Sequence, residues 1–151
     1  MKYVLAVLLL LAAPTTSLAL NSQEQRWVDA VRNTYGDRAG RRVETWRQKM
    51  SDYSGLSESE KLTRVNNFFN QLNFVNDDQL WGKNDYWATP LEFLGAGAGD
   101  CDDFAMAKYL TLRQLGVPES SLRLHYVKAL RLNQFHMVVT YQGAGMSMPD
   151  V

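Results

Sequence analysis

Gly99-Asp100-Cys101-Asp102-Asp103-Phe104-Ala105 holds the only cysteine of the chain, set among three carboxylates. Asp100 is a good helix N-cap, and Asp103 three residues on makes the pair a variant of the capping box. From Phe104 to Leu115 the sequence is apolar on nearly every face, through Ala105, Met106, Ala107, Tyr109, Leu110 and Leu112. Gly116 and Pro118 then supply stop signals. A helix apolar all round is buried, so the stretch predicts a helix at the centre of the domain, with Cys101 in its first turn. Free N–H groups and the helix dipole there favour a thiolate. The three carboxylates oppose it, because negative charge beside a thiol raises its pKa. Two readings follow: an inert buried thiol beside capping acids, or a thiol made reactive by a cation that neutralises those acids.

Working outward, 151 residues suit one domain with a single core. Met1-Lys2, the apolar run Val4 to Ala13 and Ser17-Leu18-Ala19 form the three parts of a secretory signal peptide. Cleavage is expected after Ala19, which leaves 20–151 as the exported domain. The apolar run is too short to span a bilayer comfortably. A lone cysteine in an exported protein makes no internal disulfide, and one Cys with two distant His makes no zinc cluster. Without a Cys-x-x-Cys, disulfide exchange chemistry has no support.

The formal charge of the whole chain is zero, but its distribution is uneven. Residues 65–103 carry Asp77, Asp78, Asp85, Glu92, Asp100, Asp102 and Asp103 against Lys83 alone. A solvated acidic face is one reading. The other is a site of oxygen ligands for a hard cation, Ca²⁺ rather than Mg²⁺ in an exported protein. No basic patch with interleaved aromatics occurs, so nucleic acid is not an expected partner.

Helical periodicity predicts Asn21 to Tyr35, capped by Asn21 or Ser22, and Arg38 to Met50, with Trp27 and Trp46 as core aromatics. Ser57 and Glu60 form a capping box for a third helix running to Leu72. Asn73 to Asp85 has no clear period and reads as loop. Trp87 to Leu94 is expected to form one helical turn begun by Thr89 and Pro90. Gly95-Ala96-Gly97-Ala98-Gly99 permits close backbone approach before the cysteine, and without the Walker lysine it is not a phosphate loop. After the central helix the period becomes two. Leu122 to Leu130 and Gln134 to Tyr141 read as a hairpin turned at Leu132-Asn133. Helices laid against an antiparallel hairpin give an α+β fold.

A thiol nucleophile needs a base to take its proton and a group to orient that base. His136, in a strand among Phe, Met and Val, is a better candidate than His125, which shares its face with Arg123. Trp81 and Trp87 are candidates for lining the site or for the core. Three blocks now stand in order: Trp87 to Leu94, Asp100 to Ala105, and Tyr126 to Gln134 followed by His136-Met137-Val138. Together they resemble the bacterial transglutaminase-like cysteine proteinases, over roughly residue 25 to the C-terminus.

The resemblance implies a papain-like fold with a Cys-His-Asp triad, Cys101 as nucleophile and His136 as general base. It assigns Asp100, Asp102 and Asp103 to a calcium-binding acidic motif. Members usually carry Glu where Asp102 stands, and the shorter side chain reaches less far. It further implies a periplasmic location, a large surface adhesin cut at an Ala-Ala site as substrate, and an inner-membrane cyclic-di-GMP receptor as partner. The family's triad Asp follows a Pro-hydrophobic-Val-Leu stretch. Pro149-Asp150-Val151 matches only its beginning, so the orienting acid is expected just beyond Val151 and the chain is expected to lack its C-terminal end. Asp150 is the only acid after Glu119 and stands as the candidate within the chain. Two other functions share these features: acyl transfer from glutamine to an amine, and a non-catalytic calcium-binding module or remnant.

Overall fold

The structure is a computed structural model that describes residues 19–143. The signal segment before Ala19 and the terminal Pro149-Asp150-Val151, with the candidate Asp150, lie outside the described residues. Three helices come first: α1 (Ser22–Tyr35), α2 (Asp37–Tyr53) and α3 (Glu58–Phe69). Asn21 caps α1 and closes a capping box with Glu24, and Ser57 does the same for α3 with Glu60. Between α1 and α2 the chain turns on Gly36 at φ 90°, a left-handed conformation that suits glycine. Its N–H donates to the Arg32 carbonyl and ends α1.

The segment expected to be loop contains two short elements. These are strand β1 (Asn73–Phe74) and the single-turn helix α4 (Asp77–Leu80). Next come α5 (Pro90–Ala96), strand β2 (Ala98–Gly99) and the cysteine-bearing α6 (Cys101–Gln114). β1 pairs in parallel with β2, with Asn73 opposite Ala98 and Phe74 opposite Gly99. A two-residue strand offers no alternation to read, and its partner lies some 25 positions away, which is why periodicity did not expose it.

A 3-10 turn (Glu119–Ser121) leads into the hairpin of β3 (Leu122–Ala129) and β4 (Gln134–Tyr141). Leu122 opposes Tyr141 and Val127 opposes His136; the loop takes residues 130–133 rather than the Leu132-Asn133 turn expected, with Asn133 at positive φ. Val28, Val43, Trp46, Phe69, Phe93, Leu94, Leu112 and Leu122 form the centre of the core. Trp46 Nε1–H donates to Thr111 Oγ1 at 3.1 Å, so the one polar atom of that ring is satisfied inside. No residue of α6 from Cys101 to Arg113 is exposed, in keeping with a central helix. Among the described residues no helix is long and apolar enough to cross a membrane.

Candidate active site

The start of α6 is built by what precedes it. Thr89 caps α5 and forms a capping box with Glu92, and Pro90 occupies the first helical position. α5 therefore runs two turns rather than the single turn expected, and delivers the chain through Gly97 to β2. At Gly99 a Cβ atom would lie 2.4 Å from Asp103 Oδ2 and 2.7 Å from the Phe93 ring, so only glycine fits. Asp100 then caps α6. Its Oδ1 accepts from the Asp102 N–H, while Asp103 Oδ2 accepts from the Asp100 N–H at 3.3 Å. The other Asp103 oxygen accepts from the Ala88 N–H at 2.7 Å, tying the helix start to the approach to α5.

Cys101, in the first turn, is half-buried and free. Its Sγ accepts from the Met137 N–H at 3.3 Å. β4 therefore runs past the thiol. Cys101 and His136 open onto one cleft of about 580 Å³ between α3, α6 and β4. No hydrogen bond joins the two side chains in this resting arrangement, a common feature of sites without substrate. His125 lies opposite Val138 and takes no part in the cleft lining. Trp81 packs against the core beside Tyr86, and Trp87 is exposed with its Nε1–H on Asp85; neither lines the cleft.

The electrostatics follow from burial. Desolvation is the largest influence on the Cys101 thiol and pushes its pKa up, the Met137 N–H draws it down, and Asp100 and Asp102 push it up further. The carboxylates named in the sequence reading thus act in the expected direction but rank behind burial. Asp102 is pushed up to about 8, by burial first and then by Asp100. Asp103 is raised to about 6, again by burial first, although the Ala88 and Asp100 N–H groups pull against it.

A fourth carboxylate joins them. Asp77, buried at the start of α4, accepts from the Tyr86 N–H through Oδ2 at 2.5 Å. Asp77, Asp100 and Asp103 each present an oxygen within 4.8 Å of the others, and Asp100, Cys101 and Asp102 form a second such group. Asp77 was visible in the sequence only as one acid in a negative stretch. The β1–β2 pairing brings it to the helix start, a placement that spacing along the chain does not encode.

The family profile described as bacterial transglutaminase-like cysteine proteinase matches residues 21–145. The chain belongs to that family. Legionella pneumophila LapG is similar in structure, with a TM-score of 0.69 and 35% identity over 82% of this chain and 68% of that one. Calcium-bound LapG from the same organism gives 0.67 and 36% over 78% and 65%, and the EGTA-treated form gives 0.69 and 35% over 82% and 66%. The chain thus spans about two thirds of the LapG chains it matches. No curated protein sequence matches it. As a member of this family with a transglutaminase-like α+β fold, the chain is a cysteine peptidase, in agreement with the resemblance.

Within that proteinase fold the acidic group fits a hard divalent cation. All donors besides the thiol are carboxylate oxygens, and two oxygens of these carboxylates, Asp77 Oδ1 and Asp102 Oδ2, are buried with no hydrogen-bond partner among the described residues. Buried carboxylates with unpaired oxygens are costly unless they are protonated or bind a metal. The set predicted from sequence, Asp100, Asp102 and Asp103, divides between the two groups, with Asp100 common to both.

Proposed function

We propose that the chain is a periplasmic, calcium-dependent cysteine endopeptidase that cuts a large cell-surface adhesin near its N-terminus, at an Ala-Ala type site, and so controls biofilm attachment. The observation that carries the reading is the single cleft into which both Cys101 and His136 open, beside a helix start crowded with partnerless carboxylate oxygens. Family membership supplies the reaction class. The likeness to LapG, solved with calcium and after EGTA treatment, supports the metal. The adhesin, the export route and an inner-membrane cyclic-di-GMP receptor as regulator rest on the family resemblance.

In this reading Asp100, with Asp77 and Asp103 on one side and Asp102 on the other, would hold the ion, which when bound would supply positive charge to offset the carboxylates around the sulfur. His136 takes the thiol proton, and the Cys101 sulfur attacks the peptide carbonyl to give a tetrahedral adduct. The Cys101 backbone N–H belongs to the first turn of α6, whose donors have no acceptor within the helix, and it is the group that would stabilise the developing oxyanion. The proton on His136 passes to the leaving amine, and water then hydrolyses the thioester through the same imidazole. Among the described residues His136 makes no hydrogen bond to a carboxylate.

The test is cleavage of an adhesin fragment containing the Ala-Ala site. Cleavage is expected with calcium, and its loss is expected in EGTA, in Cys101→Ala and in His136→Ala. Alkylation of Cys101 by iodoacetamide at neutral pH is expected to speed up on adding calcium. A thiol that stays inert with and without calcium, or cleavage by the Cys101→Ala protein at the wild-type rate, overturns the reading. A labelled amine included in the reaction detects glutamine acyl transfer in place of hydrolysis.

A further inference from the structure

Along α6 the catalytic cleft does not stop at the cysteine. A second cavity of about 340 Å³ lies beside it between α3, α6 and β4, and Asn66, Lys108 and Val139 line both. Cys101, Ala105, Lys108 and Leu112 lie on one face of α6 and form the floor of the combined groove. From Cys101 to Leu112 a helix rises ~16 Å, the length of about five extended residues. Opposite this floor runs β4, whose Met137 N–H reaches Cys101.

Among the described residues Lys108 is the only Lys, Arg, Asp or Glu that lines either cavity. It is half-buried, its ammonium donates to Asn70 Oδ1 at 2.7 Å, and it sits 5.5 Å from the centre of the Phe104 ring. No carboxylate of the described residues comes within ion-pair distance of it, although the segment before α6 is rich in acids. Holding Asn70 at the end of α3 uses one of its three N–H donors and leaves two for the groove. Seven residues separate it from the nucleophile, a rise of ~10 Å, which an extended peptide covers in about three residues.

We propose that Lys108 is a specificity-determining residue: the groove takes an extended polypeptide, and the Lys108 ammonium pairs with a carboxylate side chain about three residues from the scissile bond. The inference rests on the peptidase reading for the position of that bond and deepens it by naming an acidic substrate class. A half-buried cation with no carboxylate of its own among the described residues discriminates between substrate charges more strongly than a fully solvated one does.

Binding and cleavage separate this inference from the reading beneath it. Decapeptides with a central Ala-Ala pair and Glu, Gln or Lys at the third residue on one side or the other are titrated against the Cys101→Ala protein with calcium present. Glu on one side is expected to bind about tenfold tighter than Gln, with Lys weakest. Lys108→Arg is expected to keep that order, Lys108→Met to abolish it, and Lys108→Glu to invert it, with melting curves confirming that each variant is folded. In the protein with Cys101 intact, kcat/KM for the same peptides is expected to follow the same order. Equal binding of all peptides, no binding of any, or an order unchanged in Lys108→Glu overturns the role of Lys108 even if cleavage is normal. Charge-dependent binding without any cleavage keeps Lys108 and overturns the peptidase reading instead.

Discussion

The Asp77 carboxylate is held at one oxygen and idle at the other. Oδ2 takes the Tyr86 N–H, Oδ1 is buried without a hydrogen-bond partner, and one of the carboxylate's oxygens lies within 4.8 Å of oxygens of Asp100 and Asp103. Burial raises its pKa, and the neighbouring Asp100, Asp85 and Asp78 raise it further against the pull of that N–H. Asp77→Asn keeps an acceptor for Tyr86 and removes the charge. Calorimetry is expected to show calcium affinity falling by at least about tenfold, as when an important metal-site partner is lost. In EGTA the same variant is expected to melt higher than the wild type, because the metal-free fold no longer carries that buried charge. A variant that binds calcium normally, or melts lower in EGTA, excludes Asp77 from the site. Cys101, Asp100, Asp102 and Asp103 could be read directly because they are consecutive at a helix start with recognisable caps. Asp77 could not, since it joins them only through a two-residue parallel pairing.

Capping carries much of the local architecture at the level of elements. Asn21 with Glu24, Ser57 with Glu60, Thr89 with Glu92 and Asp100 with Asp103 each pair a cap residue with an acid three positions on. Such boxes need only four residues, so the starts of these helices were legible, whereas the extra turn of α5 depended on its packing with α2 and α6. The join between β2 and α6 is the tightest point. Gly99→Ala forces a Cβ against Asp103 Oδ2 and the Phe93 ring, and Asp103 is fixed by two backbone N–H groups and cannot yield freely. Overpacking of this kind costs about 1–3 kcal/mol, and a lowered denaturation midpoint is expected. Gly55→Ala, where nothing lies within 4 Å, is the control and is expected to stay within about 0.5 kcal/mol of the wild type. Equal effects at the two glycines would rule out close packing as the reason for Gly99.

Over the whole molecule, the switch of hydrophobic period from helical to two after α6 made the α+β division legible. The two strands of the hairpin were legible from their alternating residues, whereas the Ala129–Gln134 pairing that closes it leaves residues 130–133 as the loop, wider than the Leu132-Asn133 turn expected. What periodicity left hidden is the balance of charge inside the fold. Asp103 is essentially inaccessible and titrates near 6, and Asp102 near 8, against 3.8 for an ordinary aspartate. Both are raised, so the folded chain holds these protons more tightly than the unfolded chain does. The stability this confers is fully present below about pH 4 and is lost as pH rises through 6 and then 8. For Asp103 alone the displacement is worth on the order of 3 kcal/mol. Glu24 and Glu92 are lowered, so their contributions change below the ordinary glutamate value of 4.5 and leave the range from 5 to 8 untouched. In EGTA the melting temperature is therefore expected to fall steadily from pH 5 to pH 8. Calcium competes with those protons for the same oxygens, so saturating calcium is expected to flatten the fall or reverse it. Melting curves in EGTA that are level or rising between pH 5 and 8 would mean that the buried acids are ionised in the metal-free fold without cost, and the physical case for a cation at the start of α6 would be lost.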